Sequence, residues 1–186
     1  MAIQTPYTPE QAGTTLSLAT EIISLLHATN STLGVAESLT GGLLAAALTS
    51  VPGASAVFRG GVVSYATELK EHLLHVDSAL IKREGVIHPD VAKQMAEGAR
   101  RITGLGQETE TTWGVGTTGV AGPEKQDGKD VGTVYIGIAG PEGTRAWGPY
   151  RLKGGRERVR EATVLEALVR LRGVLLAKTG EGEVGG

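Results

Sequence analysis

A strand–turn–helix unit between residues 32 and 50 constrains the fold of this chain more than any other stretch. A β-prone run leads into a polar turn, and an apolar, alanine-rich run of helical character follows it. Gly41 and Gly42 in the turn permit backbone conformations and close approaches that other residues resist. Because N–H groups in the first turn of a helix lack intrahelical partners, such a turn is typical of an anion-binding site.

Ser38 and Thr40 place hydroxyl groups in this turn, and three roles fit them. Ser38 can act as a nucleophile beside an oxyanion hole formed by backbone N–H groups around Thr40 to Gly42. Either hydroxyl can instead bind a phosphate group. The third role is structural, because serine and threonine commonly cap helix N-termini. The turn by itself leaves all three roles open.

Strand-like and helical runs alternate along the chain, which predicts an α/β fold. Strands are expected near residues 32–36, 61–65, 112–116, 132–139 and 144–152. Helices are expected near residues 42–50, 67–74, 78–84, 91–103 and 157–177, and Thr8 and Pro9 signal the start of a further one. Residues 1–7 are expected to form a flexible arm and 179–186 a disordered tail, which leaves 8–178 as one domain.

The connections between these runs predict the direction of each strand. Right-handed crossovers through helices make the first three strands parallel, whereas the short turn at residues 140–143 pairs the last two strands antiparallel. If the fourth strand is the antiparallel member, the fifth runs with the first three. We therefore predict a three-layer α/β/α sandwich around a mixed, mostly parallel sheet of about five strands with one antiparallel strand.

Ligands of such sheets bind beyond the carboxyl ends of the strands, where four turns of this chain converge. The turns carry Ser38, Lys70, Thr118 and Arg156. Ser38 and Lys70 form a candidate nucleophile–base pair, provided that the lysine loses its proton. Burial near a cation such as Arg156 would lower the lysine pKa, and the alternative is an ordinary solvated lysine. Tyr65, at the end of the second strand, either orients these two residues or packs in the sheet.

Further candidate ligand contacts lie in the same turns. The Thr118 hydroxyl can bind the nucleophile or a substrate in a loop shaped by Gly119 and Gly122, although a glycine-rich loop can also be purely structural. Arg156 opens the final helix, where a cation opposes the helix dipole, and this conflict favours an anionic partner for it. Arg59 is expected near the same turns as another substrate contact.

Composition narrows the classes of function. A net charge of −2 over 186 residues gives no electrostatic case for binding nucleic acid. The absence of cysteine excludes disulfides and thiolate metal sites, and four scattered histidines offer no convincing ligand set, so we expect no metal and no other cofactor. The sequence has neither a signal-like N-terminus nor an apolar run of about 18 residues, so we expect a cytoplasmic protein without a membrane partner.

Five ordered motifs resemble the CinA C-terminal domain family, which includes stand-alone nicotinamide mononucleotide amidases. The motifs are AESLTGG at 36–42, FRGGVVSY at 58–65, GVAGP at 119–123, VGTV at 131–134 and GGR at 154–156. The resemblance implies an α/β/α sandwich and hydrolysis of the nicotinamide amide to nicotinic acid mononucleotide and ammonia. It also implies that Ser38 is the nucleophile and Lys70 the base, and that Tyr65, Thr118 and Arg156 line the site.

The sequence departs from this family pattern at two site positions. Leu39 stands where the family commonly has cysteine, and Thr118 stands where it often has serine, which keeps the hydroxyl. Many relatives also carry a large N-terminal domain, and a CinA-type domain can serve only as the partner of that domain. Two alternatives therefore stay open beside the small-molecule nucleotide as substrate: a non-catalytic nucleotide-binding or interaction domain, and an amidase of another small amide. By analogy with the family we expect a homo-oligomer, for which a dimer is a plausible form.

Overall fold

A five-stranded sheet with helices on both faces forms the protein in the computed structural model, which describes residues 14–104 and 110–179. The strands are β1 (Leu33–Glu37), β2 (Phe58–Val63), β3 (Trp113–Gly119), β4 (Thr133–Gly140) and β5 (Gly143–Arg151). The helices are α1 (Thr15–Ala28), α2 (Leu43–Thr49), α3 (Thr67–His72), α4 (Ser78–Glu84), α5 (Pro89–Ile102) and α6 (Arg156–Thr179), with a 3₁₀ turn at Ala54–Ala56.

The sheet has the strand order β2-β1-β3-β4-β5. Strand β1 pairs in parallel with both β2 and β3, whereas β4 is antiparallel to both β3 and β5. Strand β5 therefore runs in the same direction as the first three strands, and β4 alone opposes them. This confirms the predicted mixed sheet, in which the carboxyl ends of β1, β2 and β3 share one edge.

Two hydrophobic cores lie on opposite faces of the sheet, which confirms the three-layer arrangement. Helices α1, α2 and α6 cover one face, and helix α5 with its neighbour α4 covers the other. Successive side chains of a strand point to opposite faces, so Val35 enters the first core and Ala36 the second. Helix α5 packs close to the sheet because Gly114 has no side chain: a Cβ there would lie 2.0 Å from the carbonyl oxygen of Ala96.

Strands β2 and β3 differ from the predicted ones by more than one residue. Strand β2 begins at Phe58, because Phe58 pairs with Leu33 at the start of β1, and it ends before Tyr65. Strand β3 extends to Gly119, because its last three residues pair with the antiparallel strand β4. Thr118 therefore lies in a strand and not in a loop, and its backbone is held by the ladder.

Some predictions concern residues outside the described ranges. They are the helix start at Thr8 and Pro9, the arm at 1–7, and the tail beyond Thr179. None of the described helices is both long and apolar enough to cross a membrane.

Candidate active site

Ser38 directly follows β1 and begins a tight turn at the carboxyl edge of the sheet. Its backbone N–H donates to the carbonyl of Thr117 at 3.1 Å, and its own carbonyl accepts from the N–H of Gly41 at 3.1 Å. Gly41 and Gly42 have φ angles of 59° and 95°, in the left-handed region that favours glycine. The Ser38 hydroxyl is half-buried and makes no hydrogen bond to any residue in the described ranges, so it is available to a ligand.

A cleft of about 480 Å³ opens beside Ser38. Residues from all four predicted turns line it, and the structure thus brings these turns together. They include Ser38 and Leu39 after β1, Tyr65 and Lys70 after β2, Thr118, Gly119 and Gly122 around the end of β3, and Arg156 at the start of α6. The volume lies within the range usual for small-molecule sites.

Lys70 lies on α3 with its side chain buried at the cleft. Its Nζ donates to the carbonyl of Ser64 at 2.6 Å and to the carbonyl of Tyr65 at 3.3 Å. Burial lowers the pKa of Lys70 from 10.5 to about 8, and the charges of Asp127 and Glu68 oppose this shift. The pKa is thus lowered by burial and not by the nearby cation that the sequence suggested.

No hydrogen bond joins Lys70 to Ser38 in the described part of the chain; both side chains line the same cleft. The two carbonyls that hold Lys70 belong to the segment that joins β2 to α3. The structure therefore places Ser38 and Lys70 in one cleft, and a proton transfer between them is a proposal.

The N-terminus of α2 already holds an anion, and that anion is the side chain of Glu37. One carboxylate oxygen accepts from the N–H groups of Gly42 at 2.9 Å and Leu44 at 3.1 Å, and the other accepts from Ala45 at 2.8 Å. Glu37 is only 1% exposed. The prediction that Gly41 and Gly42 offer N–H groups to a substrate is corrected here, because Glu37 takes one and the Ser38 carbonyl takes the other.

Two backbone N–H groups of the turn have no acceptor among the described residues, and they belong to Leu39 and Thr40. Arg160 of α6 binds the same segment: its Nε donates to the Leu39 carbonyl and its Nη2 to the Thr40 carbonyl, both at 3.0 Å. Because a trans peptide is planar, with its C=O and N–H opposed, the Thr40 N–H points away from Arg160. Arg160 was not among the predicted site residues, and its spacing of one helical turn from Arg156 is the only signal for it in the sequence.

The threonine hydroxyls at this edge are engaged within the protein. Thr40 Oγ1 lies 2.8 Å from Thr117 Oγ1, and both residues are fully buried. Thr118 Oγ1 donates to the Val86 carbonyl at 2.7 Å. The Thr40 hydroxyl is thus paired with Thr117 in this conformation and not free for a substrate. Thr118 lines the cleft and its hydroxyl oxygen can still accept, so its contact with the nucleophile or a substrate stays a prediction.

Arg156 spans the mouth of the cleft. Its Nη1 donates to the Gly122 carbonyl at 2.7 Å, and its Nη2 donates to the hydroxyl of Tyr65. The contact ties the segment after β2 to the loop after β3. Tyr65 contacts Lys70 through its main-chain carbonyl, and the residue is 52% exposed, so it does not pack in the sheet.

Four predicted site residues do not line the cleft, namely Thr40, Gly41, Gly42 and Arg59, and of these only Arg59 lies outside the turns around it. Arg59 is exposed near the start of β2, next to Phe58, which pairs with Leu33 at the start of β1. In parallel strands the starts and the ends lie at opposite edges of the sheet. Arg59 therefore lies at the edge opposite Ser38, and its predicted substrate contact is corrected.

The polar loop between β3 and β4 forms a wall that the sequence analysis did not assign to the site. Lys125 and Gln126 line the cleft. Asp127 accepts from the Val86 N–H at 2.8 Å and so fastens this loop to the segment that precedes α5. Within residues 14–104 and 110–179, no group of three or more histidine and acidic side chains is arranged to hold a metal ion.

Comparisons with known proteins identify the family of this chain. The family model described as CinA C-terminal domain matches residues 15–175. A CinA-like protein of Frankia casuarinae is 47% identical over 173 residues, which cover 89% of this chain and 38% of that protein. A CinA-like protein of Parasynechococcus marenigrum is 44% identical over 165 residues, again with 38% of its length covered. The chain thus spans little more than a third of these curated relatives.

Solved structures of the same superfamily share the fold. A competence-damaged protein (CinA) superfamily protein from Klebsiella pneumoniae superposes with a TM-score of 0.82 at 28% identity, covering 89% of this chain and 99% of that one. The competence/damage inducible protein CihA from Agrobacterium tumefaciens gives a TM-score of 0.77 at 31% identity, covering 92% and 97% of the two chains.

Proposed function

The chain belongs to the CinA C-terminal domain family, and from that premise we propose that it is an amidohydrolase of nicotinamide mononucleotide. The products are nicotinic acid mononucleotide and ammonia. One observation carries the proposal: the unbonded Ser38 hydroxyl and the buried Lys70 amine, whose pKa is lowered to about 8, line the same cleft. A hydroxyl nucleophile and an amine that can shed its proton near neutral pH are the two groups that a serine–lysine mechanism needs.

Lys70 acts as the base in this mechanism. A neutral amine has two N–H donors and one lone pair, whereas an ammonium has three donors. The carbonyls of Ser64 and Tyr65 can accept the two N–H groups, at the positions where they now hold Nζ. The remaining lone pair is then free for the Ser38 proton. The two carbonyls thus support a base that is oriented before the substrate arrives.

Ser38 Oγ attacks the carboxamide carbon as its proton passes to Lys70. The oxygen of the tetrahedral intermediate is bound by the N–H groups of Leu39 and Thr40, which have no acceptor among the described residues. Use of the N–H that follows the nucleophile is common in serine hydrolases. Lys70 returns the proton to the leaving nitrogen, the C–N bond breaks, and ammonia departs. Water then attacks the acyl-enzyme, giving the acid and restoring the Ser38 hydroxyl.

Substrate recognition is assigned to the rim of the cleft. Nicotinamide is a small uncharged ring, so an enzyme acting on its nucleotide gains affinity mainly from the phosphate and ribose. Arg156 supplies a guanidinium with paired N–H donors there, and Lys125 lines the same cleft. Gly119 and Gly122 shape the loop that faces them.

A non-catalytic nucleotide-binding domain is the second candidate function. It is favoured by one observation: Lys70 is bonded to two carbonyls and not to Ser38. In that case Ser38 and Arg156 would hold a nucleotide without cleaving it. A third candidate, an amidase of a different small amide, uses the same groups with other contacts at the rim.

Ammonia release from a panel of amides tests the proposal. The panel contains nicotinamide mononucleotide, nicotinamide riboside, free nicotinamide and an aliphatic amide. We expect the mononucleotide to be the best substrate, and Ser38→Ala to lower its turnover by about a thousandfold or more. Binding of the mononucleotide without ammonia release would support the non-catalytic candidate. A better substrate elsewhere in the panel would redirect the assignment, and an active Ser38→Ala enzyme would overturn the mechanism.

A further inference from the structure

A second cleft of about 500 Å³ lies at the opposite edge of the sheet from Ser38. It opens between the β4–β5 turn and the last turns of α6, and both tryptophans of the sequence, Trp113 and Trp147, line it. Trp113 is the first residue of β3 and Gly119, at the Ser38 cleft, is the last. A strand rises about 3.3 Å per residue, so the two clefts are roughly 20 Å apart.

Each tryptophan of this cleft carries a cation over its ring. The guanidinium carbon of Arg145 lies 5.0 Å from the ring centroid of Trp147, and Nζ of Lys178 lies 5.5 Å from that of Trp113. Lys178 has one carboxylate nearby, that of Glu142, at 3.7 Å. Arg145 is exposed and has no carboxylate partner in the described part of the chain. The cleft therefore combines the partly exposed indole of Trp147 with two cations and one carboxylate, that of Glu142.

Trp113 brings a third feature to the cleft. The residue is only 5% exposed, and its buried Nε1 has no hydrogen-bond partner among the described residues. Its six-membered ring packs against Gly140, where a Cβ would lie 2.2 Å from the ring, so the indole is fixed in position. Trp113 therefore forms a rigid and largely buried side of the cleft, and Trp147 is its more exposed indole.

We propose that this cleft binds a phosphorylated aromatic compound of the size of a nucleoside monophosphate. Its ring packs against Trp147, and its phosphate pairs with Arg145 and Lys178. Indole rings stack on the flat faces of heterocycles of any kind, and arginine forms bidentate hydrogen bonds with phosphate oxygens. The site is separate from the Ser38 cleft, and the proposal holds whether or not the protein is an amidase.

Tryptophan fluorescence tests this proposal directly, because the chain contains only two tryptophans and both line this cleft. The intact protein is titrated with adenosine 5′-monophosphate, with excitation at the red edge of the indole band, where adenine does not absorb. We expect a saturable change in emission. Adenosine and ribose 5-phosphate each carry one half of the proposed chemistry, and we expect both to bind at least about tenfold more weakly.

Charge reversal at the cleft provides the matched variants. Arg145→Glu and Lys178→Glu should each weaken binding of the monophosphate about tenfold or more and leave adenosine binding unchanged. Lys82→Glu, on an exposed residue of α4, is the control with the same charge change and should have no effect. Circular dichroism checks that each variant is folded. The proposal is overturned if the monophosphate gives no saturable signal up to about 10 mM, or if the signal is insensitive to both reversals at the cleft.

Discussion

Nζ of Lys70 lies 2.6 Å from the carbonyl oxygen of Ser64, so the candidate base is held by the main chain just after β2. Two opposing effects act on its proton. The charges of Asp127 and Glu68 and the hydrogen bonds to carbonyls favour the ammonium form, whereas burial favours the neutral amine. Burial prevails, because the pKa is lowered from 10.5 to about 8.

This pKa predicts the pH dependence of the proposed reaction. Only neutral Lys70 can accept the Ser38 proton, so kcat/KM should rise with pH and level off above an apparent pKa of about 8. Rates of ammonia release between about pH 6 and pH 10 give this profile. Lys70→Arg should be inactive throughout, because a guanidinium does not lose its proton. An active Lys70→Arg enzyme would assign the residue to electrostatic support.

Glu37 is predicted to be a stability determinant that lies next to the nucleophile. Its carboxylate accepts three backbone N–H groups of α2, and glutamine offers one acceptor oxygen in place of two. Glu37→Gln should therefore lower the free energy of unfolding by about 1.5–3 kcal/mol, measured by urea denaturation. Glu161→Gln, on an exposed residue of α6, should change it by less than about 0.5 kcal/mol. Equal effects of the two variants would contradict the capping role.

Arg160 is predicted to position the oxyanion hole. Its guanidinium fixes the carbonyls of Leu39 and Thr40, so Arg160→Ala should lower kcat about ten- to hundredfold with little change in KM. The apparent pKa of the pH profile should stay in place, because Arg160 contacts neither Lys70 nor its carbonyl partners. Arg158→Ala, on an exposed residue of the same helix, is the control. A shifted pH profile, or a rise in KM alone, would reject the positioning role.

The meeting of four turns at one edge could be predicted from the sequence. Strand direction follows from the kind of connection, since helical crossovers are right-handed and give parallel neighbours. That rule was enough to group Ser38, Lys70, Thr118 and Arg156 before any coordinates were known. The prediction for Arg59 did not follow this rule. Arg59 precedes the predicted strand at 61–65 and lies at the start of the observed β2, and either position puts it at the edge opposite the four turns.

Internal pairing of polar groups could not be predicted in the same way. Glu37 reaches N–H groups five to eight residues further along the chain, and nothing in its local sequence distinguishes this from an ordinary ion pair. Arg160 contacts residues about 120 positions away. Such contacts depend on how α6 packs on the turn after β1, which is a property of the whole fold.

Arg156 is predicted to recognise the phosphate of the substrate. Arg156→Ala should raise KM for nicotinamide mononucleotide about ten- to hundredfold, the loss of a charge-assisted contact of roughly 1.5–3 kcal/mol. The same change should matter much less for the riboside, which lacks the phosphate. Tyr65→Phe removes one partner of the guanidinium and keeps its charge, so it should retain the preference for the nucleotide. If Arg156→Ala weakened turnover of both substrates equally, Arg156 would not recognise the phosphate and would serve to link Tyr65 to the loop at Gly122.

Glu166 provides a prediction about stability that is independent of activity. This residue of α6 is 2% exposed, and one of its carboxylate oxygens has no hydrogen-bond partner among the described residues. Arg170 lies 3.6 Å from that oxygen and donates instead to the Tyr150 hydroxyl at 2.7 Å. Burial raises the pKa of the Glu166 carboxyl, and the charge of Arg170 only partly opposes this.

The sign of the effect follows from proton binding. A folded-state pKa above the unfolded value means that the folded protein binds more protons between the two values, so the stability contributed by Glu166 falls as pH rises through that interval. Glu166→Gln removes this titration and keeps the side-chain volume. The free energy of unfolding of the variant minus that of the wild type should therefore increase as the pH rises above about 4.3, the pKa of a free glutamate side chain. Urea denaturation at several pH values measures it, with Glu97→Gln on an exposed residue of α5 as control. A difference that moves the other way would mean that attraction to Arg170 outweighs the cost of burial.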